Sequence, residues 1–377
     1  MIEIVSELTG VKSEVKTILV TGGAGFIGSN FIHYMLKQEK DIFIVNLDKL
    51  TYAGNLENLK DIENSKNYRY LKGDVCDTRL LDTIFKEYDF DFVVHFAAES
   101  HVDRSILEPN IFIETNVVGT ASLLCSAKKN WKESEWHEKR FLQISTDEVY
   151  GSLREDKKSD KFTERTSLKP RSPYSASKAS ADHLVKSYFY TYGLPTMITR
   201  CSNNYGPYQF PEKLIPLIIN NVLNNKMLPV YGDGKNIRDW LYVEDHCDAI
   251  YTVLRKGKPG EVYNIGGNNE LENIYIVNKI CEILDELYPI KNNLKFKIKN
   301  LKSVSYKDLI TYVKDRLGHD RRYAIDAIKI KRDLGWAPHS VFEEKLKDTI
   351  GWYLKNRDWV KHVTTGEYEK YYERMYG

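Results

Sequence analysis

The chain is poor in cysteine, with five thiols at positions 76, 125, 201, 247 and 281 and no Cys-x-x-Cys pair. An odd, scattered set builds neither a disulfide framework nor a zinc site, so reduced thiols in a cytoplasmic protein are expected and a metal is not. Long apolar runs are missing as well. None approaches the roughly 18 residues that span a bilayer. The start mixes Glu3, Glu7 and Glu14 with lysines where a signal peptide would carry an apolar stretch. No membrane contact is expected, and residues 1–15 read as an extension ahead of the first strand. Excess charge is absent too, since 55 basic and 53 acidic residues leave a formal net charge of +2. That argues against a surface that coats nucleic acid, while leaving room for a local phosphate pocket.

What the chain does have is alternation. Lys16–Val20 reads as a strand that runs into Thr21-Gly22-Gly23-Ala24-Gly25-Phe26-Ile27-Gly28. Glycines 22, 25 and 28 follow a strand and open a helix, the arrangement that lets backbone N–H groups approach a pyrophosphate. A second strand, Asp41–Leu47, ends at Asp48. An acidic side chain there suits two ribose hydroxyls and disfavours a 2′-phosphate, so NAD is favoured over NADP. Tyr68–Leu71 leads to Asp74 and Val75, and Thr78–Glu87 reads as a helix. Phe92–Ala97 is a buried strand with His95 as a core histidine, delivering Ala98, Glu99 and Ser100 to the same sheet edge. Pro109 introduces a helix over Asn110–Lys128. The stretch from Lys128 to Arg140, with Trp131 and Trp136, reads as a surface connection.

The next strand organises the rest. Phe141-Leu142-Gln143-Ile144-Ser145 is an apolar run ending in Thr146-Asp147-Glu148, stopped by Gly151. It predicts a buried parallel strand with a hydroxyl and two carboxylates at its ligand-binding edge. Two neighbouring carboxylates can take different pKa values and share acid and base work. Beyond a charged loop, Ser152–Arg171, Tyr174 and Lys178 lie one turn apart on a helix predicted over Tyr174–Tyr192. A tyrosine is a poor base at neutral pH, but a lysine cation and an oxidised nicotinamide nearby would favour its phenolate.

These elements predict the α/β class. A doubly wound parallel sheet of Rossmann type would cover residues 16–200, rejoined by about 239–265 through the helix Val243–Leu254 and the strand Glu261–Ile265. After Arg200 the texture changes. Prolines 207, 211, 216 and 229 with Gly232 and Gly234 predict loops and short elements. They would belong to a smaller mixed α/β substrate lobe over 201–377, with helices at Ile274–Leu287 and Val341–Leu354. Lys213, Arg238 and Arg316 are its candidate phosphate ligands.

Thr21–Gly28 and the Tyr174/Lys178 pair resemble the extended short-chain dehydrogenase/reductases that act on nucleotide sugars. Longer strings narrow the resemblance to the dTDP-glucose 4,6-dehydratases: Leu47–Asn55, Ala97–Ser105, Ser145–Gly151, Cys201–Pro207 and Ile237–Asp245. The resemblance implies a lyase with catalytic NAD that makes dTDP-4-keto-6-deoxyglucose for deoxysugar biosynthesis. It makes Tyr174 the base at the 4-hydroxyl, aided by Thr146 and Lys178, Glu148 the base at C5, and Asp147 the acid at the C6 hydroxyl. It places NAD on Gly22, Gly25, Phe26, Ile27, Gly28, Asp48, Lys49, Leu50, Thr51, Asp74, Val75, Phe96, Ala97, Ala98, Glu99, Thr115, Tyr174, Lys178 and Asn204. It places the sugar nucleotide on Ser100, Thr146, Asn203, Lys213, Leu214, Pro229, Tyr231, Arg238, Asn273, Asp315, Arg316 and His319. A homodimer packed through helices of the cofactor domain is also implied. Leu317 departs from the proline the family carries there, which touches loop rigidity only. The residues leave two rivals open, a nucleotide-sugar 4-epimerase and a catalytically silent NAD-binding scaffold. Thymidine against uridine is undecided.

Overall fold

The computed structural model describes residues 15–293 and 305–376. Residues 1–14 of the expected extension 1–15 therefore lie outside the described residues. Twelve strands follow in chain order among the described residues. They are β1 (Lys16–Thr21), β2 (Ile42–Asp48), β3 (Tyr68–Lys72), β4 (Phe92–His95), β5 (Arg140–Thr146) and β6 (Thr196–Cys201), then β7 (Asn203–Tyr205), β8 (Leu228–Tyr231), β9 (Ile237–Tyr242), β10 (Val262–Ile265), β11 (Glu270–Glu272) and β12 (Ile310–Val313).

Seven of them form one parallel sheet in the order β10-β6-β5-β4-β1-β2-β3. Its middle strands are buried on both faces, as Leu19, Val20, Val93, Val94, Phe141 and Leu142 show. This is why they read as apolar runs rather than alternating patterns. Strand order reverses between β1 and β4, and in open α/β sheets the crevice beyond the strand ends at that point takes the ligand. The helices have recognisable ends. Asp77 caps the helix Thr78–Tyr88 by accepting the N–H groups of Arg79 and Leu80. Ser172 and Ser175 form a capping box with Pro173 at the first position of the helix Pro173–Tyr192, and Gly193 ends it in the left-handed conformation.

Two expectations change here. The stretch after Lys128 is anchored, because Trp131 is buried and its indole N–H donates to the Phe90 carbonyl at 2.7 Å. The helix begun by Pro109 widens into a π-turn over Glu114–Val118, which sets Thr115 at the cavity wall.

The remaining elements enclose a separate core that includes Ile215, Ile218, Trp240, Ile276, Leu346 and Ile350. Its sheets are small, β11-β9-β7 and β12-β8. The proline-rich stretch expected as loops and short elements holds the ten-residue helix Leu214–Leu223. Pro216 falls in its first turn, where an N–H would have no intrahelical acceptor in any case. No helix among the described residues is long and apolar enough to cross a membrane.

Candidate active site

Beyond the C-terminal ends of the parallel strands lies a cavity of about 310 Å³. The glycine-rich loop forms one wall. Gly22 has φ +70°, and a Cβ there would stand 2.6 Å from the Ala97 nitrogen. A Cβ on Gly28 would lie 2.4 Å from the Gly22 oxygen, so the helix Phe26–Gln38 packs against the loop only without a side chain. That helix begins at the cavity with no side-chain cap and no acid in its first turn, which fits a pyrophosphate. At the end of β2, Asp48 accepts the N–H of Ala24 at 2.9 Å and of Leu50 at 2.8 Å. Burial raises its carboxyl, and the two N–H groups pull it back. Lys49 and Asp74 pair at 2.6 Å farther along the wall.

Of the residues assigned to NAD, all but Leu50 line this cavity. Leu50 sits in the left-handed region at φ 57° and spends its N–H on Asp48, so its role is to shape the turn.

The chemistry gathers where β5 ends. Thr146 accepts the Glu148 N–H at 3.3 Å, starting a single 3-10 turn over Asp147–Tyr150. Its hydroxyl also reaches Asp147 Oδ1 at 3.4 Å, while Asp147 Oδ2 is buried and unpartnered. Burial, with Glu148 and Asp239 near, pushes the Asp147 carboxyl well above its usual range. Burial raises Glu148 too, but the cations Arg316, Lys213 and Arg238 oppose it. Both carboxyls are therefore raised, Asp147 farther, and only Glu148 has three cations opposing the rise.

Tyr174 and Lys178 face the same cavity from the helix Pro173–Tyr192. The lysine also has a backbone partner. Its Nζ donates to the Ile144 carbonyl at 2.7 Å, and burial pushes it down to about 8. Burial first, then the Glu148 charge, holds the Tyr174 hydroxyl well above its usual value. The phenol is therefore neutral here, held so by burial first and by the Glu148 charge second.

A second cavity of about 160 Å³ opens from the first, sharing Ser100, Glu148, Asn203, Asn204 and Lys213. Leu214, Pro229, Tyr231, Arg238, Asn273, Arg316 and His319 line it. Lys213 Nζ donates to the Ser100 carbonyl at 3.1 Å. Arg238 is held in place by the Asp320 carbonyl at 2.8 Å and lies over the Tyr323 ring at 4.2 Å. Asp315 lies outside both linings. It holds His319 Nδ1 at 2.6 Å, and burial keeps that imidazole neutral, down to about 4. The Leu317 side chain is 74% exposed and touches neither cavity.

One cluster escaped the sequence reading. Glu212 is buried between the cavities, accepting from the Tyr52 hydroxyl and from Arg104 Nε, both at 3.1 Å. The Arg104 guanidinium covers the Tyr52 ring at 3.7 Å. These partners are 160 and 108 residues from Glu212 in the chain, so no local pattern marks them.

The family model for GDP-mannose 4,6 dehydratase matches residues 19–349. The chain belongs to this dehydratase family. It is 53% identical over 368 residues to a dTDP-glucose 4,6-dehydratase of Salmonella typhimurium, covering 95% of this chain and 98% of the relative. A dTDP-glucose 4,6-dehydratase structure from Bacillus anthracis, in complex with NAD, is 49% identical with TM-score 0.79 and covers 93% of this chain and 100% of its own. One from Streptomyces venezuelae, with NAD and TYD bound, is 43% identical with TM-score 0.81, covering 92% and 99%. A UDP-glucose 4-epimerase from Thermotoga maritima shares 28% identity at TM-score 0.75 over 90% and 99%. The backbone alone therefore does not separate dehydration from epimerisation.

Proposed function

We infer that this chain catalyses the NAD-dependent dehydration of dTDP-glucose to dTDP-4-keto-6-deoxyglucose. The observation that carries the reading is the placing of two adjacent carboxyls, Asp147 and Glu148, on the cavity wall with Tyr174, because an epimerase has no step that uses a separate acid and base. Bound NAD would supply reversible oxidation at the sugar's C4, restored when C6 is reduced. The fit is supported by the uncapped helix at Phe26 and by the Asp48 carboxylate at the end of β2.

Tyr174 takes the proton of the 4-hydroxyl while Thr146 hydrogen-bonds the same oxygen. It becomes a competent base only when a positive charge offsets burial and the Glu148 carboxylate, which ties its action to the loaded cofactor. Once C4 is a ketone, the C5 proton is acidic and Glu148 removes it. Asp147, held neutral by burial, gives its proton to the C6 hydroxyl, which leaves as water. Glu148 then returns a proton to C5. Arg238, Arg316, Lys213 and Asn273 would hold the nucleotide in the second cavity, where the buried Arg238 suits a pyrophosphate. Asp315 would act there only by holding His319.

We further propose a cytoplasmic homodimer. The exposed apolar side chains Leu107, Ile111, Ile113 and Val118 on the helical stretch 102–118 support the dimer, and five free thiols support the compartment.

Incubation with dTDP-glucose, followed by mass spectrometry, tests the activity. The expected product is lighter by one water and forms without net reduction of added NAD. An isomer of unchanged mass would move the reading to a 4-epimerase. No conversion of any nucleotide sugar, with cofactor bound, would leave a silent binder.

A further inference from the structure

The glycine-rich loop is held from behind by a residue more than three hundred positions away. Ala24, fully buried in that loop, gives its N–H to Asp48 Oδ2 at 2.9 Å. Its carbonyl accepts from the Asn58 side-chain amide at 2.9 Å and from the Asn55 N–H at 3.0 Å. The Asn58 side-chain oxygen in turn accepts the indole N–H of Trp359 at 2.8 Å. Asn58 is 1% exposed and Trp359 8%, so no water replaces either partner. Only an amide can do both jobs here, because the site needs a donor toward Ala24 and an acceptor toward Trp359. Trp359 is itself wedged against Trp352 and Tyr353 of the helix Phe342–Lys355, with ring centroids at 5.2 and 6.2 Å.

We propose that Trp359 and Asn58 are positioning residues for the dinucleotide loop, so that the helix Arg357–Val363, late in the chain, governs how tightly the chain keeps its cofactor. This rests on the cofactor reading above. Neither residue lines the cavity; both act through Ala24, whose two peptide groups set the loop between β1 and the helix at Phe26. The pair ties the last part of the chain to the phosphate loop, and losing it frees the loop without removing any cofactor contact.

Trp359→Phe keeps the ring and deletes the N–H. Ile350→Val trims the same C-terminal core without touching the polar chain, and it controls for lost packing. Two readouts are taken on the full chain: hydrogen exchange at the amides of Ala24–Gly28 without cofactor, and the rate of NAD release from the loaded protein. Trp359→Phe is expected to speed both by about tenfold, the factor one ordinary hydrogen bond corresponds to. Ile350→Val is expected to leave both near the parent. Parental values in Trp359→Phe, or equal acceleration in Ile350→Val, would overturn the proposal, as would faster exchange with unchanged NAD release. A parent that keeps no NAD would sink the cofactor reading, and with it the link from Trp359 to cofactor retention. The exchange readout would still report separately whether Trp359 orders the loop.

Discussion

Strand β5, all seven residues of which pair with parallel neighbours, and strand β9 deliver their site residues differently. From β5 the groups lie past the strand end, on the turn at Asp147, because a strand buried on both faces has no room for charge along its length. On β9 the first half pairs antiparallel with β11 and the second half parallel with β7. Its Arg238 projects from within the strand, satisfied by the Asp320 carbonyl and the face of Tyr323. The parallel sheet therefore offers chemistry at an edge, and the small sheets offer grips from their surface. If the two regions do separate work, they should break separately.

The largest effect is expected from Tyr174→Phe. It should cut turnover by about 10²–10⁴-fold, the range for a lost general base, while binding of dTDP stays near the parent. Steady-state rates with calorimetric titration of dTDP check both halves. Arg238→Met should do the reverse, weakening dTDP about 10–100-fold through lost charge-assisted hydrogen bonds and leaving NAD retention alone. If it released NAD as well, the regions would not be separate.

Tyr150→Phe sharpens the comparison at the turn that follows β5. The Tyr150 hydroxyl accepts from Arg200 at 2.9 Å and donates to Asn264 at 2.8 Å, fixing the turn that carries both carboxylates. Its loss should cost about 1–2 kcal/mol in urea unfolding.

The smallest effect concerns acid stability. Burial pushes His95 and His246 down to about 3 from an ordinary 6.5. Between those values the unfolded chain binds protons that the folded chain refuses, so stability rises with pH through this window and is lost as pH falls. His95→Gln should flatten that limb by about one proton's slope. An unchanged slope would mean that His95 is charged in the fold.

The same contrast explains what could be read from the chain. The parallel sheet was legible because its central strands β1, β4 and β5 are apolar runs of neighbouring residues, and Asp48, Thr146 and Glu148 sit where strands end. His95 was legible as a core residue for the same reason. The C-terminal lobe hid its sheets, since β12 pairs with β8 across about eighty residues and β7 and β11 have three residues each. A three-residue strand carries too little periodicity to register. Pro216 disguised a helix. The partner of Lys178 was not legible, because sequence spacing reports only that it shares a helix face with Tyr174, and the Ile144 carbonyl that accepts from it lies on β5. Glu212 was missed because its meaning depends on Tyr52 and Arg104 arriving from the other lobe.

The most direct measurement is turnover of dTDP-glucose in deuterated water, with the product read by mass spectrometry and proton NMR. Proton removal and return at C5 by Glu148 predicts a product that has lost one water and carries one solvent deuterium at C5. A product of unchanged mass, or a dehydrated one with no deuterium at C5, would contradict the division of labour between Asp147 and Glu148.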